Sequence, residues 1–173
     1  LKTGLHRTRT EIEKQDVASN TLLGGNINYR RNGWHVGTTA FYTSFSLPLT
    51  TDNTRLYKRF APQGDQFWNA SISHRWTIAG ETATGDCGTI ATINSVSYLF
   101  SDKFSLTALQ RFYPVRYYSL FSNTFSEGSE VQDESGAYLG LTWSPWQRWS
   151  ITAYSDFAYF AWPKYLTKES TQS

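Results

Sequence analysis

The stretch RWSITAYSDFAYFAW, residues 148 to 162, decides how the chain is read. Written as a strand, it sends Trp149, Ile151, Ala153, Ser155, Phe157 and Tyr159 to one side and Ser150, Thr152, Tyr154 and Asp156 to the other, because side chains alternate across the pleat. One face is apolar and the other polar. That pattern fits a half-buried strand of a soluble sheet. It fits equally a strand that crosses a bilayer with lipid on one side and a polar lumen on the other.

The same alternation recurs along the chain. In TLLGGNINYRRNGWHVGTTAFYTSF, Leu23, Ile27 and Tyr29 oppose Asn26, Asn28 and Arg30; Arg31-Asn32-Gly33 reads as a tight turn, and Trp34, Val36, Ala40 and Tyr42 follow with period two. FWNASISHRWTIAG sets Trp68, Ala70, Ile72, Trp76 and Ile78 against Asn69, Ser71, Ser73, Arg75 and Thr77, as one long strand or as two short ones folded near His74. GTIATINSVSYLF and FSLTALQRFY form a hairpin about residues 101 to 103, with Phe104, Leu106, Ala108 and Phe112 opposite Ser105, Thr107, Arg111 and Tyr113. AYLGLTWSPWQRWSITAYSDF makes another about residues 144 to 147, where Pro145 suits a turn because it cannot donate to a ladder. No helix is convincing: the best candidate, TEIEKQDVASN, is polar on every face and reads as a strand end and loop.

The connections are unequal. The turns are short, whereas residues 47 to 65 and 114 to 134 form long polar loops, so short and long connections fall at opposite ends of a meander. Transmembrane barrels have this asymmetry. Aromatic residues gather toward strand ends, and Trp34, Trp68, Trp143, Trp146, Trp149 and Trp162 are expected to form interfacial girdles at headgroup depth, against the plainer reading of a Trp-rich core.

Composition bounds the class. The chain has 173 residues, enough for one domain over residues 1–173 and no reason for two. Aromatic and charged residues each make up 17%, charge-poor beside a soluble average of about 25%. A mean hydropathy of -0.48 excludes a bundle of membrane helices. It does not touch a barrel, in which every second strand residue can be polar. The net charge of +2, with Lys and Arg scattered, carries no nucleic-acid signature. Cys87 has no second cysteine with which to pair or bind zinc. The chain contains no Met, so Leu1 is expected to follow a processed segment or to lie within a longer protein.

The residues that could carry chemistry are sparse. His6, His35 and His74 stand in unrelated segments, and no nucleophile elbow, zinc-protease motif, phosphate loop or dinucleotide fingerprint is present. The expectation is a protein that is not an enzyme and uses no cofactor or metal. The sequon Asn69-Ala-Ser71 lies mid-strand and carries no message there. By parity Arg30, Arg111, Asp156, Tyr113 and Tyr154 share the polar face, with Glu81 as a further member. Charges in a narrow lumen must be paired or reach water. An Arg111, Asp156 and Glu81 network would plug a small barrel; in a wider pore each charge would be solvated alone. Arg111 and Asp156 lie on strands running in one direction with one strand between them, within reach of an arginine.

The phrases TGLHRTRTEIEK, NINYRRNGWHVGTTAFYTSFSLPL, LYKRFAPQGD, AGETA, LQRFYPVRYYSLFSNTFSEGSEVQDESGAYLGL and YSDFAYFAWPKY resemble the barrel portion of a family of large outer-membrane proteins of Bacteroidota, whose members often carry the label helix-hairpin-helix. The resemblance runs over nearly the whole chain. It implies a longer native protein with further strands after Ser173. No helix-hairpin-helix segment occurs in this sequence to support a role on DNA.

The expected fold is therefore an all-β antiparallel transmembrane β-barrel meander with eight or nine strands visible, part of a larger barrel in the bacterial outer membrane. Membrane lipid and other outer-membrane or periplasmic proteins that complete the barrel are the expected partners. The expected function is a non-enzymatic channel or a structural subunit of an envelope complex. The alternatives are a DNA or solute uptake component, and a soluble lipocalin-like barrel with its apolar face inside.

Overall fold

The computed structural model describes residues 18–51, 54–121, 124–127 and 130–164, together with the backbone of 171–172. Strands β1 (Asn20–Arg31), β2 (Trp34–Leu49), β3 (Gly64–Arg75), β4 (Ile78–Gly85), β5 (Ile90–Ser101), β6 (Phe104–Tyr113), β7 (Glu134–Trp143), β8 (Ile151–Phe160) and the short β9 (Thr171–Gln172) lie side by side in chain order in one sheet. Every neighbouring pair is antiparallel. One 3-10 turn, Leu56–Lys58, is the helical structure among the described residues, and none of them form a helix long and apolar enough to cross a membrane. The sheet is not closed: β1 and β9 form its two edges. His6 and most of TEIEKQDVASN lie outside the described residues, which reach β1 through Ala18 and Ser19.

Local chemistry accounts for the hairpins. Asn32 and Gly33 join β1 to β2 with φ values of 48° and 83°, the two positive angles of the turn whose twist matches that of paired strands. The β3–β4 segment is two strands, and the chain folds at Trp76 and Thr77, two positions beyond His74, which stays inside β3. Trp76 stacks on Trp34, with ring centroids 4.7 Å apart, so the two neighbouring turns share an aromatic contact.

Register fixes the faces. One face carries Arg111, Tyr113, Glu134, Asp156, Asn69 and Thr43; the other carries Ile27, Val36, Ile72, Ile78, Leu139, Leu141, Trp143, Ile151 and Phe157. The described residues among 114–133 fold over the first face, which is therefore called inner. Phe121 meets Phe41 of β2, Tyr118 meets Phe67 of β3, and the Asn69 Nδ2 donates to the Tyr118 carbonyl at 3.3 Å. At the same end Trp162, just past β8, packs edge-on to Phe60 of the β2–β3 loop, and its Nε1 donates to the Leu56 carbonyl at 2.8 Å. A flat sheet would keep β8 and the β2–β3 loop about five strand spacings, roughly 24 Å, apart. The sheet is thus strongly curled, with its inner face concave.

Burial is inverted relative to a soluble sheet. The buried hydrophobic residues are Phe67, Ala91, Tyr113, Tyr117, Ala158 and Phe160, all turned inward or in the covering loop, while Arg111 and Glu134 are among the most deeply buried side chains. On the outer face Phe157 is 65% exposed and Ile72 56%.

Candidate functional site

The inner face is built around Arg111. Its strand, β6, faces Gly136 of β7 across the ladder, and Gly136 in turn faces Ala158 of β8. Because Gly136 has no side chain, the guanidinium lies across it; a Cβ there would stand 2.5 Å from Arg111 Cζ. This crossing takes Arg111 Nη1 to Asp156 Oδ1 at 2.7 Å, one strand beyond its neighbour. Arg111 Nε donates to Glu134 Oε1, so two carboxylates hold one cation. The Arg111 Nη2 is buried and makes no hydrogen bond among the described residues.

This triad ties the sheet to the loop above it. Both oxygens of Glu134 accept the Glu127 N–H at 3.0 Å, the Arg111 guanidinium lies 5.1 Å from the Phe125 ring, and the Tyr113 hydroxyl donates to the Phe125 carbonyl at 2.8 Å. Phe125 also meets Tyr138 edge-on, and Tyr138 stacks with Tyr154 at 6.2 Å. Apart from the Arg111 Nη2, the polar groups that leave water here have a hydrogen-bonded or charged neighbour, as burial of charge requires.

Glu81 does not join this network. It faces the same side from β4 and lines a cavity of about 200 Å³ beside Ala83, Ala91, Ile93, Tyr113 and Tyr117; the second carboxylate on Arg111 is Glu134. The reason is what lies between: Ile93 of β5 stands between Arg111 and Glu81, whereas Gly136 leaves the path to Asp156 open and Glu134 faces Tyr113 on the adjacent strand. Arg30 also stands apart. It lies at the short-turn end beside His35, which faces Arg75 on the next strand, and these residues line an open recess with Arg31. Trp162 is not part of an outer aromatic band, since it is tied into the loop cap by Phe60 and Leu56. Trp34, Trp68 and Trp143 face outward, Trp146 and Trp149 are exposed in the β7–β8 connection, and Trp76 joins Trp34.

The cap shifts the titration of its own groups. Burial pushes the Tyr117 phenol up to about 12. Burial also raises the Asp133 carboxyl above its ordinary range, although it accepts the Trp162 N–H at 3.1 Å and Lys164 lies 3.8 Å away, both of which pull it down. Cys87 is half-buried, and its Sγ accepts from the Thr89 hydroxyl at 3.4 Å. Among the described residues no group of His, Cys, Asp and Glu is placed to hold a metal ion.

No family model, curated protein or solved structure matches the chain. The functional reading therefore rests on the geometry.

Proposed function

We propose that the chain is the wall of an integral β-barrel of the bacterial outer membrane, non-enzymatic, with a plugged interior, acting as a structural subunit of an envelope complex. The observation that carries this reading is the inside-out burial: Arg111 and Glu134 are each 1% exposed, while Phe157, Ile72 and Leu139 on the outer face are 65%, 56% and 52% exposed. Water penalises that outer face and hydrocarbon does not. Its height also suits a bilayer. From Ile151 to Tyr159 the strand rises roughly 26 Å, or roughly 20 Å in height at a tilt of about 40°, close to the apolar band of about 25 Å in such barrels. Exposed aromatics flank the band, with Trp34, Trp76, Trp143 and Trp149 toward the short turns and Trp68, Phe112 and Tyr159 toward the long loops.

A lipocalin-like barrel would need its apolar face inside, where this sheet places an arginine and two carboxylates. The free edge of β1, and that of β8 beyond its short pairing with β9, require further strands or a partner in lipid, consistent with a larger barrel. A channel or uptake role draws on one feature, the cationic recess formed by Arg30, Arg31 and Arg75 at the turn end. Urea-washed outer membranes and planar bilayers separate these readings. The protein should stay with the washed membranes and carry no steady current. Recovery in the soluble fraction overturns the membrane placement, and an ohmic, anion-selective current overturns the plugged wall in favour of a channel.

A further inference from the structure

The outer face is not uniformly apolar. Across β4, β5 and β6 it carries a cluster of neutral polar side chains: Thr82 faces Thr92, and Asn94 faces Gln110. They bond to one another. The Asn94 Nδ2 donates to Thr92 Oγ1 at 3.0 Å and to Gln110 Oε1 at 3.1 Å, and the Thr82 hydroxyl donates to Thr92 Oγ1 at 3.4 Å. Asn94 can lie flat because its neighbour in the ladder is Gly80, over which its Oδ1 comes to rest.

The cluster is not self-sufficient. Its internal bonds use both Asn94 N–H groups, but they leave the Gln110 Nε2 donors and the Asn94 Oδ1 acceptor without a hydrogen bond among the described residues. Its depth makes this costly. From Phe104, at the turn end of β6, to Gln110 the strand rises roughly 20 Å, or roughly 15 Å in height, which leaves Gln110 inside the apolar band about 5 Å short of the aromatic rim at Phe112. At that depth hydrocarbon offers nothing to bond to, and unsatisfied amides there are expensive.

We infer that this patch is the contact between two copies of the chain, an inference that rests on the membrane placement proposed above. A second copy inserted in the same direction carries its own Asn94 and Gln110 at the same height. A two-fold axis along the membrane normal changes no depth, so it brings the spare donors of Gln110 level with the spare acceptor of Asn94 on the partner. The four side chains are neutral and hold both donors and acceptors, which makes them complementary to themselves, as a two-fold contact requires, and the His74 ring borders them over Gly80. Interhelical amide bonds in membranes follow the same logic of pairing polar groups away from lipid.

The test uses the full chain in nanodiscs and in urea-washed membranes. Wild type should have the mass of a dimer in mild detergent, and the Asn94→Leu, Gln110→Leu double variant should lose the dimer while remaining in the washed membranes. In a Cys87→Ala background, Asn94→Cys should give an oxidised dimer and Leu139→Cys should not. A wild-type monomer that stays in the membrane, a dimer that survives the double variant, or a crosslink from Asn94→Cys to a different protein overturns the inference and leaves the membrane placement standing. Loss of the wild-type protein from washed membranes overturns both.

Discussion

Gly136 faces Arg111 in the β6–β7 ladder and gives the guanidinium its path to Asp156. Gly136→Ala should therefore push a fully buried side chain out of two ion pairs, with a loss of about 1–3 kcal/mol by the measure of other overpacked cores. Gly25→Ala, whose Cβ would meet nothing within 4 Å, is the matched control and should change the unfolding midpoint little. Arg111→Ala leaves two carboxylates without their cation and should cost about 3–5 kcal/mol. If Asp156 is a true partner, Asp156→Asn should recover part of that loss, and a double-mutant cycle in reversible unfolding should show coupling; additive effects would reject the pairing. The Arg111 to Asp156 contact is legible in the sequence because parity and strand direction place both on one wall. Glu134 is not legible, since it stands where a long loop becomes a strand and nothing local marks which way it points. Glu81 looks equally eligible by parity, and it is excluded by Ile93, which stands between it and Arg111 where the other side has Gly136.

The hairpin of β7 and β8 keeps its two faces in phase from Trp143 and Ile151 at one end to Ser135 and Tyr159 at the other. An arginine placed at Leu139, which is 52% exposed on the outer face, should destabilise the protein in lipid vesicles by about 2–4 kcal/mol. The same change at Thr142, on the inner face near the short turn, should have an effect near zero. Equal losses at the two positions would remove the distinction between a lipid-facing and a wet side. Elements of this kind read well from sequence because the period of two is a local property, as in Leu139 and Leu141 against Tyr138 and Thr142. Boundaries read less well. The fold between β3 and β4 comes at Trp76 and Thr77, because the Trp34 to Trp76 stack holds the turn there while His74 continues the ladder opposite Val36. The sequence from 114 to 133 has no period to read; the path of its described residues follows from contacts such as Tyr118 with Phe67, whose partners are far apart in sequence.

The long loop closes one end of the curled sheet, and its buried tyrosine links that closure to pH. The Tyr117 hydroxyl ionises only near 12, against 10.0 for an exposed phenol, so the folded protein holds that proton more tightly than the unfolded chain. Stability from this group is complete below about pH 10 and is lost as pH rises through 12, to a total of roughly 2 to 3 kcal/mol. Denaturant midpoints followed from pH 9 to 12 should fall, and Tyr117→Phe should make that fall shallower; an unchanged slope would separate the cap from this ionisation. The hydrogen bond from Trp162 to Leu56 spans 106 positions in the chain. The hairpins, by contrast, join residues that are close in sequence and can zip from their turns inward. Because ordering a long intervening chain costs entropy before any distant contact repays it, the Trp162 clasp belongs after the rate-limiting barrier of folding, not before it. Trp162→Phe should then leave the refolding rate nearly unchanged and speed unfolding, so the clasp governs how long the assembled sheet lasts and has little part in how fast it assembles.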